Sequence, residues 1–312
     1  MEIILVILAM LLYVFYWQTA IVCGFVMTLV SPFALPVLLL LFYQSMELYI
    51  LVSLFIGSCA GWFYRPSYYD GAEYTGERSW RWFRRLRLWR LLHWWTNFNA
   101  QVDPMTRTQI TKPCVIAVHP HGFLPIGSLL EFCLPGTQLP KVDVLVATLE
   151  MIFSIPGLRE LFLWSGAIVA RRDCMLKILE KGKALVVVPG GLREGMLHDH
   201  NHLRMCFDHQ GFIEIAQTAN VPLIPVFAQG ENRLWFIIPV FAGLRKWFYR
   251  HTRVPFPTFF VPFIFPHELN MRYGKEMKQP ATMEEFEKAM IELVETHEDS
   301  MDFDMSEKKN SD

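Results

Sequence analysis

The stretch Cys114-Val115-Ile116-Ala117-Val118-His119-Pro120-His121-Gly122 decides how this chain is read. Residues 114–118 are uncharged and three of the five are β-branched, which predicts a short buried strand. It runs directly into two histidines, a proline and a glycine. In open α/β sheets ligands gather at the carboxyl ends of strands, where the next helix begins and its free N–H groups face outward. A neutral imidazole at such a place can take the proton of a hydroxyl as its oxygen attacks a carbonyl, with backbone donors at Gly122 and Phe123 available to the oxyanion. Two other readings stand beside this one. A histidine at a strand end is often structural, and alternate residues of a strand can share one metal ion.

Working outward, short apolar runs alternate with longer amphipathic ones, as expected of an α/β body whose mostly parallel sheet is flanked by helices. The runs predict strands over 114–118, 142–148, 167–170, 184–188 and 223–227. Helices are predicted over 123–132, 157–164, 174–181 and 211–219. Thr282 stands three residues before Glu285, a capping-box spacing, and opens a last helix with Phe286, Met290, Leu293 and Val294 on one face. No internal repeat is visible, so residues 65–298 read as one body and residues 299–312 as a disordered polar tail.

Two further turns carry chemistry-bearing residues. Pro189-Gly190-Gly191 follows the strand at 184–188, and paired glycines let a backbone approach a ligand closely. A plain strand-to-helix turn would use the same residues. Arg171 and Arg172 follow the strand at 167–170 and suit phosphate groups through charge-assisted hydrogen bonds, or else form a solvated turn. The run His198-Asp199-His200-Asn201-His202 lacks the spacing of strand or helix ligands and reads as a solvated loop, so no metal is assigned.

The chain is 53% hydrophobic and 19% charged, a membrane-protein balance, and its net charge of −1 removes any global attraction for nucleic acid. Between residues 3 and 64 the single charged side chain is Glu47. A bilayer crossing needs about 20 apolar residues, so this run predicts two crossings, 3–30 and 37–63, broken at Ser31-Pro32 and Pro36. The expectation is an N-terminal transmembrane helical hairpin over residues 1–64. The run is too long for a signal peptide and no basic region precedes it. The basic, aromatic stretch at 78–90 then suits anionic headgroups on the cytosolic side, or else an amphipathic helix packed on the body. The six cysteines are scattered without a C-x-x-C pair, which suits reduced thiols.

His119-Pro120-His121-Gly122 resembles the signature tetrapeptide of the type 2 diacylglycerol acyltransferase family, which includes monoacylglycerol and wax-alcohol acyltransferases. The resemblance continues in order through Gly166-Ala167-Ile168-Val169-Ala170-Arg171, Pro189-Gly190-Gly191-Leu192-Arg193-Glu194, Gly211-Phe212, Val221-Pro222 and Gly230-Glu231-Asn232. Several ordered motifs are more specific than one. One departure is Asp208-His209-Gln210, where the family is basic.

The resemblance implies a glycerolipid-acyltransferase-like fold, acyl-coenzyme A as donor substrate with no further cofactor, and a lipid alcohol, diacylglycerol foremost, as acceptor. Monoacylglycerol or a wax alcohol is the alternative. It also implies a multi-pass protein of the endoplasmic reticulum membrane with access to lipid droplets; association into a homo-oligomer is left open. His121 matches the histidine of the wider superfamily's His-x4-Asp motif and becomes the expected base. The aspartate's place is held by Ile126 and Gly127, so Glu194 becomes the expected acid partner. Catalytic residues are then His119, His121 and Glu194, and acyl-coenzyme A is expected at Arg171, Arg172, Gly190 and Gly191. Rivals of other classes are a non-catalytic membrane lipid-binding protein and a metal-dependent hydrolase using the two histidines as ligands.

Overall fold

In a computed structural model, residues 70–99, 110–122, 124–136, 141–154, 157–197, 203–234, 267–297 and 303–304 are described. The transmembrane hairpin expected over residues 1–64 lies outside them, as do Phe123 and the histidine-rich run at 198–202. No helix of the described residues is long and apolar enough to cross a membrane.

The body is built on a seven-stranded sheet: β1 (Phe98–Asn99), β2 (Val115–His119), β3 (Val144–Thr148), β4 (Ala167–Val169), β5 (Ala184–Val187), β7 (Leu223–Gln229) and β8 (Leu269–Tyr273). Their order is β1-β8-β7-β2-β5-β3-β4. The stretch from β7 to β4 is parallel throughout, with Ala117 opposite Val187 on one side and Pro225 on the other. β8 joins β7 antiparallel and β1 follows β8, so the sheet is mixed at one edge.

The expected helices are present, with boundaries moved by a few residues: Leu158–Ser165, Arg172–Glu180 and Gly211–Thr218. The helix expected over 123–132 begins later, at Ile126–Ser128, and continues as a wider π-helical turn over Leu129–Cys133. The last helix, Met283–His297, is capped as its spacing foretold. Glu285 N–H donates to Thr282 Oγ1 at 3.2 Å, and Thr282 N–H donates to Glu285 Oε2 at 2.9 Å.

Strand alternation divides the core between the two faces of the sheet. Val115 and Ala117 pack with Leu185, Val187, Phe212, Ile215, Phe286, Met290 and Val294 on one face. Ile116 and Val118 pack with Val144, Val186, Ile224 and Phe132 on the other. Truncating one of these large side chains to alanine removes about 2–5 kcal/mol.

Two elements depart from expectation. Within the polar tail, Phe303–Asp304 pair in parallel with β6 (Leu203–Arg204), because a backbone ladder orders a segment whatever its side chains. The basic aromatic stretch forms two short helices, Arg81–Arg84 and Trp89–Trp95, and splits by environment. Trp82 and Trp94 are 60% and 76% exposed, whereas Arg84 is buried and donates to the carbonyls of Phe132 (2.7 Å) and Val144 (3.1 Å).

Candidate active site

β2 lies at the middle of the sheet, between β7 and β5, and its last residue is His119. Alternation puts this side chain on the face of Val115 and Ala117, under the helices Gly211–Thr218 and Met283–His297. There the imidazole is 0% exposed, with the rings of Phe207 and Phe286 at 5.1 and 5.9 Å between centroids.

The adjacent strand β5 ends at Val187, turns through Pro189-Gly190 and enters the helix Gly191–Leu197. The first turn of that helix carries Glu194, which reaches back across to the end of β2. Its Oε1 lies 2.7 Å from His119 Nδ1 and also accepts the Cys206 N–H at 2.7 Å. Its Oε2 accepts the backbone N–H of His121 at 2.6 Å. Burial opposes charge on Glu194, but the His119 imidazole and the N–H groups of Cys206 and His121 outweigh it and hold the carboxyl below its ordinary range.

A carboxylate only accepts, so the ring nitrogen facing it carries a proton, and Nε2 is the nitrogen left to exchange one with a substrate. Nε2 is buried and meets no hydrogen-bond partner among the described residues. The ring is thus oriented by a charged acceptor on one side and presents its second nitrogen on the other. A hydroxyl brought to Nε2 would lose its proton to a group whose resulting charge Glu194 stabilises.

The expectation paired Glu194 with His121; the geometry pairs it with His119. His121 touches the carboxylate through its backbone alone. Its imidazole Nδ1–H donates to the Gly122 carbonyl at 3.1 Å, and burial pushes its pKa below the ordinary histidine value. The strand ends at His119, so its pleat fixes the facing of that ring, whereas His121 lies past Pro120, beyond the ladder, and does not follow the alternation.

Gly190 also changes meaning. A Cβ at this position would run into the Glu194 carboxylate, so the glycine makes room for the acid. Arg171 and Arg172 stand at the end of the edge strand β4, three strand spacings or about 14 Å from β2. Arg171 is half-exposed, paired to Asp173 at 3.2 Å and stacked 5.4 Å over Tyr74, and Arg172 donates to Thr218 Oγ1 at 3.1 Å. The two arginines are therefore not beside the histidines. Asp208, where the resemblance foresaw a basic residue, is ion-paired with Arg193, the neighbour of Glu194.

Glu231 lies within the Gly230-Glu231-Asn232 motif, where motif reading assigns it no role. It sits just beyond β7, on the opposite flank of β2 from Glu194. Its Oε1 accepts the Ile126 N–H at 2.8 Å and its Oε2 the Gly127 N–H at 2.7 Å. Burial pushes this carboxyl up to about 8, although both N–H groups favour its charge. Its signals in the sequence were that motif and its place directly after an apolar strand.

Comparison with known proteins adds a family to this geometry. A diacylglycerol O-acyltransferase 1 of Saccharomyces cerevisiae is 27% identical over 184 residues, covering 55% of this chain and 44% of that protein. A human diacylglycerol O-acyltransferase 2 is 27% identical over 169 residues, covering 51% of this chain and 42% of that protein. The chain thus spans less than half the length of these curated relatives. A solved 1-acyl-sn-glycerophosphate acyltransferase from Thermotoga maritima aligns over 94% of this chain and 99% of its own at a TM-score of 0.46 and 12% identity. The family model described as diacylglycerol acyltransferase matches residues 42–265, well over half of the sequence and all of the His119–Glu194–Glu231 constellation, and the chain belongs to that family.

Proposed function

We propose that this protein transfers a fatty acyl group from acyl-coenzyme A to the free hydroxyl of diacylglycerol, forming triacylglycerol, with His119 as the general base. The observation that carries this reading is the buried His119–Glu194 pair with Nε2 free, in a member of the diacylglycerol acyltransferase family. Nε2 takes the hydroxyl proton while the oxygen attacks the thioester carbonyl carbon. The carbonyl π pair moves onto oxygen, then returns to expel the coenzyme A thiolate, which takes the proton back from the imidazolium. A thiolate leaves readily, so a positioned base worth about 10²- to 10⁴-fold, together with orientation, suffices without an acyl-enzyme.

Arg171 and Arg172, about 14 Å along the same sheet edge, suit the phosphates at the far end of an extended coenzyme A. The apolar run at 3–64 is read as the membrane hairpin and the exposed Trp82 and Trp94 as interfacial contacts, and the family resemblance implies the endoplasmic reticulum membrane with access to lipid droplets. The test is incubation of membranes expressing the protein with labelled acyl-coenzyme A and separate acceptors. Labelled triacylglycerol supports the reading. Product from monoacylglycerol or a wax alcohol alone would replace the acceptor, and no ester at all would leave a lipid-binding role.

A further inference from the structure

Two buried carboxyl groups grip the segment between His119 and Gly127, one from each side of β2. Glu194 arrives from the β5 side and holds its front, at His119 Nδ1 and His121 N–H. Glu231 arrives from the β7 side and holds its back, at the N–H groups of Ile126 and Gly127. We propose that Glu231 is a positioning residue for the reactive histidines, fixing the loop that carries them to the end of β7.

Packing supports the hydrogen bonds. Gly122, at φ +59°, would place a Cβ 2.9 Å from Glu231 Cγ, and Gly127 would place one 2.7 Å from Glu231 Oε2. The Glu231 side chain thus occupies the space that two glycines bordering the loop leave open. Burying an ionisable group carries a large desolvation cost, and a local Ser or Asn cap could satisfy helix N–H groups without it. What the longer carboxylate adds is a tie between strand and loop, two acceptors wide. Glutamine cannot replace it, because its amide nitrogen would face a second N–H donor.

The inference rests on the acyl-transfer reading for its kinetic measurement alone. Full-length protein and its Glu231→Gln and Glu231→Asp variants, in phospholipid vesicles, are treated with diethyl pyrocarbonate, and modification of His119 and His121 is followed by mass spectrometry. Thiol labelling of Cys114, buried just before the opposite end of β2, reports general loosening. Histidine modification should rise about tenfold, the scale of a lost hydrogen bond, while Cys114 stays protected. Where wild type transfers acyl groups, kcat should fall about tenfold with KM unchanged. Unchanged histidine reactivity, a parallel rise at Cys114, or an unchanged kcat in an active protein each overturns the proposal. A wild-type protein without acyl transfer sinks the functional reading and leaves the histidine measurement to decide this one.

Discussion

His119 Nδ1 stands 2.7 Å from Glu194 Oε1, across 75 residues of sequence, while His121, two residues from His119, offers the same carboxylate its backbone N–H. One acid therefore orients the ring of one histidine and the main chain of the other. The two histidines are not equivalent, and the expected outcomes differ accordingly.

Removing the oriented ring should be the more damaging change. His119→Ala is expected to lower kcat by about 10²- to 10⁴-fold, with His121→Ala lower in effect. Radiolabel incorporation by folded, membrane-inserted variants checks the order. Near-full activity in His119→Ala would return the base to His121.

Glu194→Gln keeps size and one acceptor oxygen but removes the charge that stabilises the imidazolium formed when His119 takes a proton. The rate should fall by on the order of 100-fold or more. The acid limb of the pH–rate profile should also move to lower pH, since a less favoured imidazolium forms only in more acid solution. A slower enzyme with an unmoved acid limb would make Glu194 a structural residue.

At Gly190 even one methyl group has nowhere to go, since the Glu194 carboxylate fills that space. Gly190→Ala should displace the acid, costing about 1–3 kcal/mol of stability as overpacking and reproducing the activity loss of Glu194→Gln. A Gly190→Ala protein with wild-type melting and turnover would contradict the packing described.

Glu231 should leave a signature in stability against pH. Its carboxyl titrates near 8 when folded, above the ordinary value of 4.5 that the unfolded chain follows. Between those values the folded protein keeps a proton that the unfolded chain has released. Its contribution is fully present below the ordinary carboxylate value and is lost as pH rises toward 8. The slope is at most about 1.4 kcal/mol per pH unit. Denaturant melts of Glu231→Gln should show a flatter decline from pH 5 to 8 than wild type. Parallel curves would mean that Glu231 is ionised throughout.

Arg171 and Arg172 sit apart from the histidines and should act on binding alone. Exchanging both for alanine is expected to raise KM for acyl-coenzyme A about three- to tenfold with kcat within twofold, as for groups that bind ground and transition states equally. Initial rates over a range of acyl-coenzyme A concentrations check this, and a fall in kcat alone would reject the phosphate role.

The sequence by itself determined the parallel heart of the sheet and the position of the reactive loop, because these depend on local pattern. An uncharged β-branched run such as Val115–His119 can only be a buried strand, and the Thr282–Glu285 spacing caps its helix wherever that helix docks. Ordered motifs also brought His119, His121 and Glu194 into one hypothesis. Tertiary structure alone decided which histidine Glu194 meets. The pleat sets the facing of His119, His121 lies beyond the strand's end, and β5 became the neighbour of β2 only when the sheet assembled. The same holds for Glu231, which reaches the loop because β7 lies on the other flank of β2. It holds too for the antiparallel β8, whose pairing partner lies more than 40 residues away and leaves no trace in its own composition.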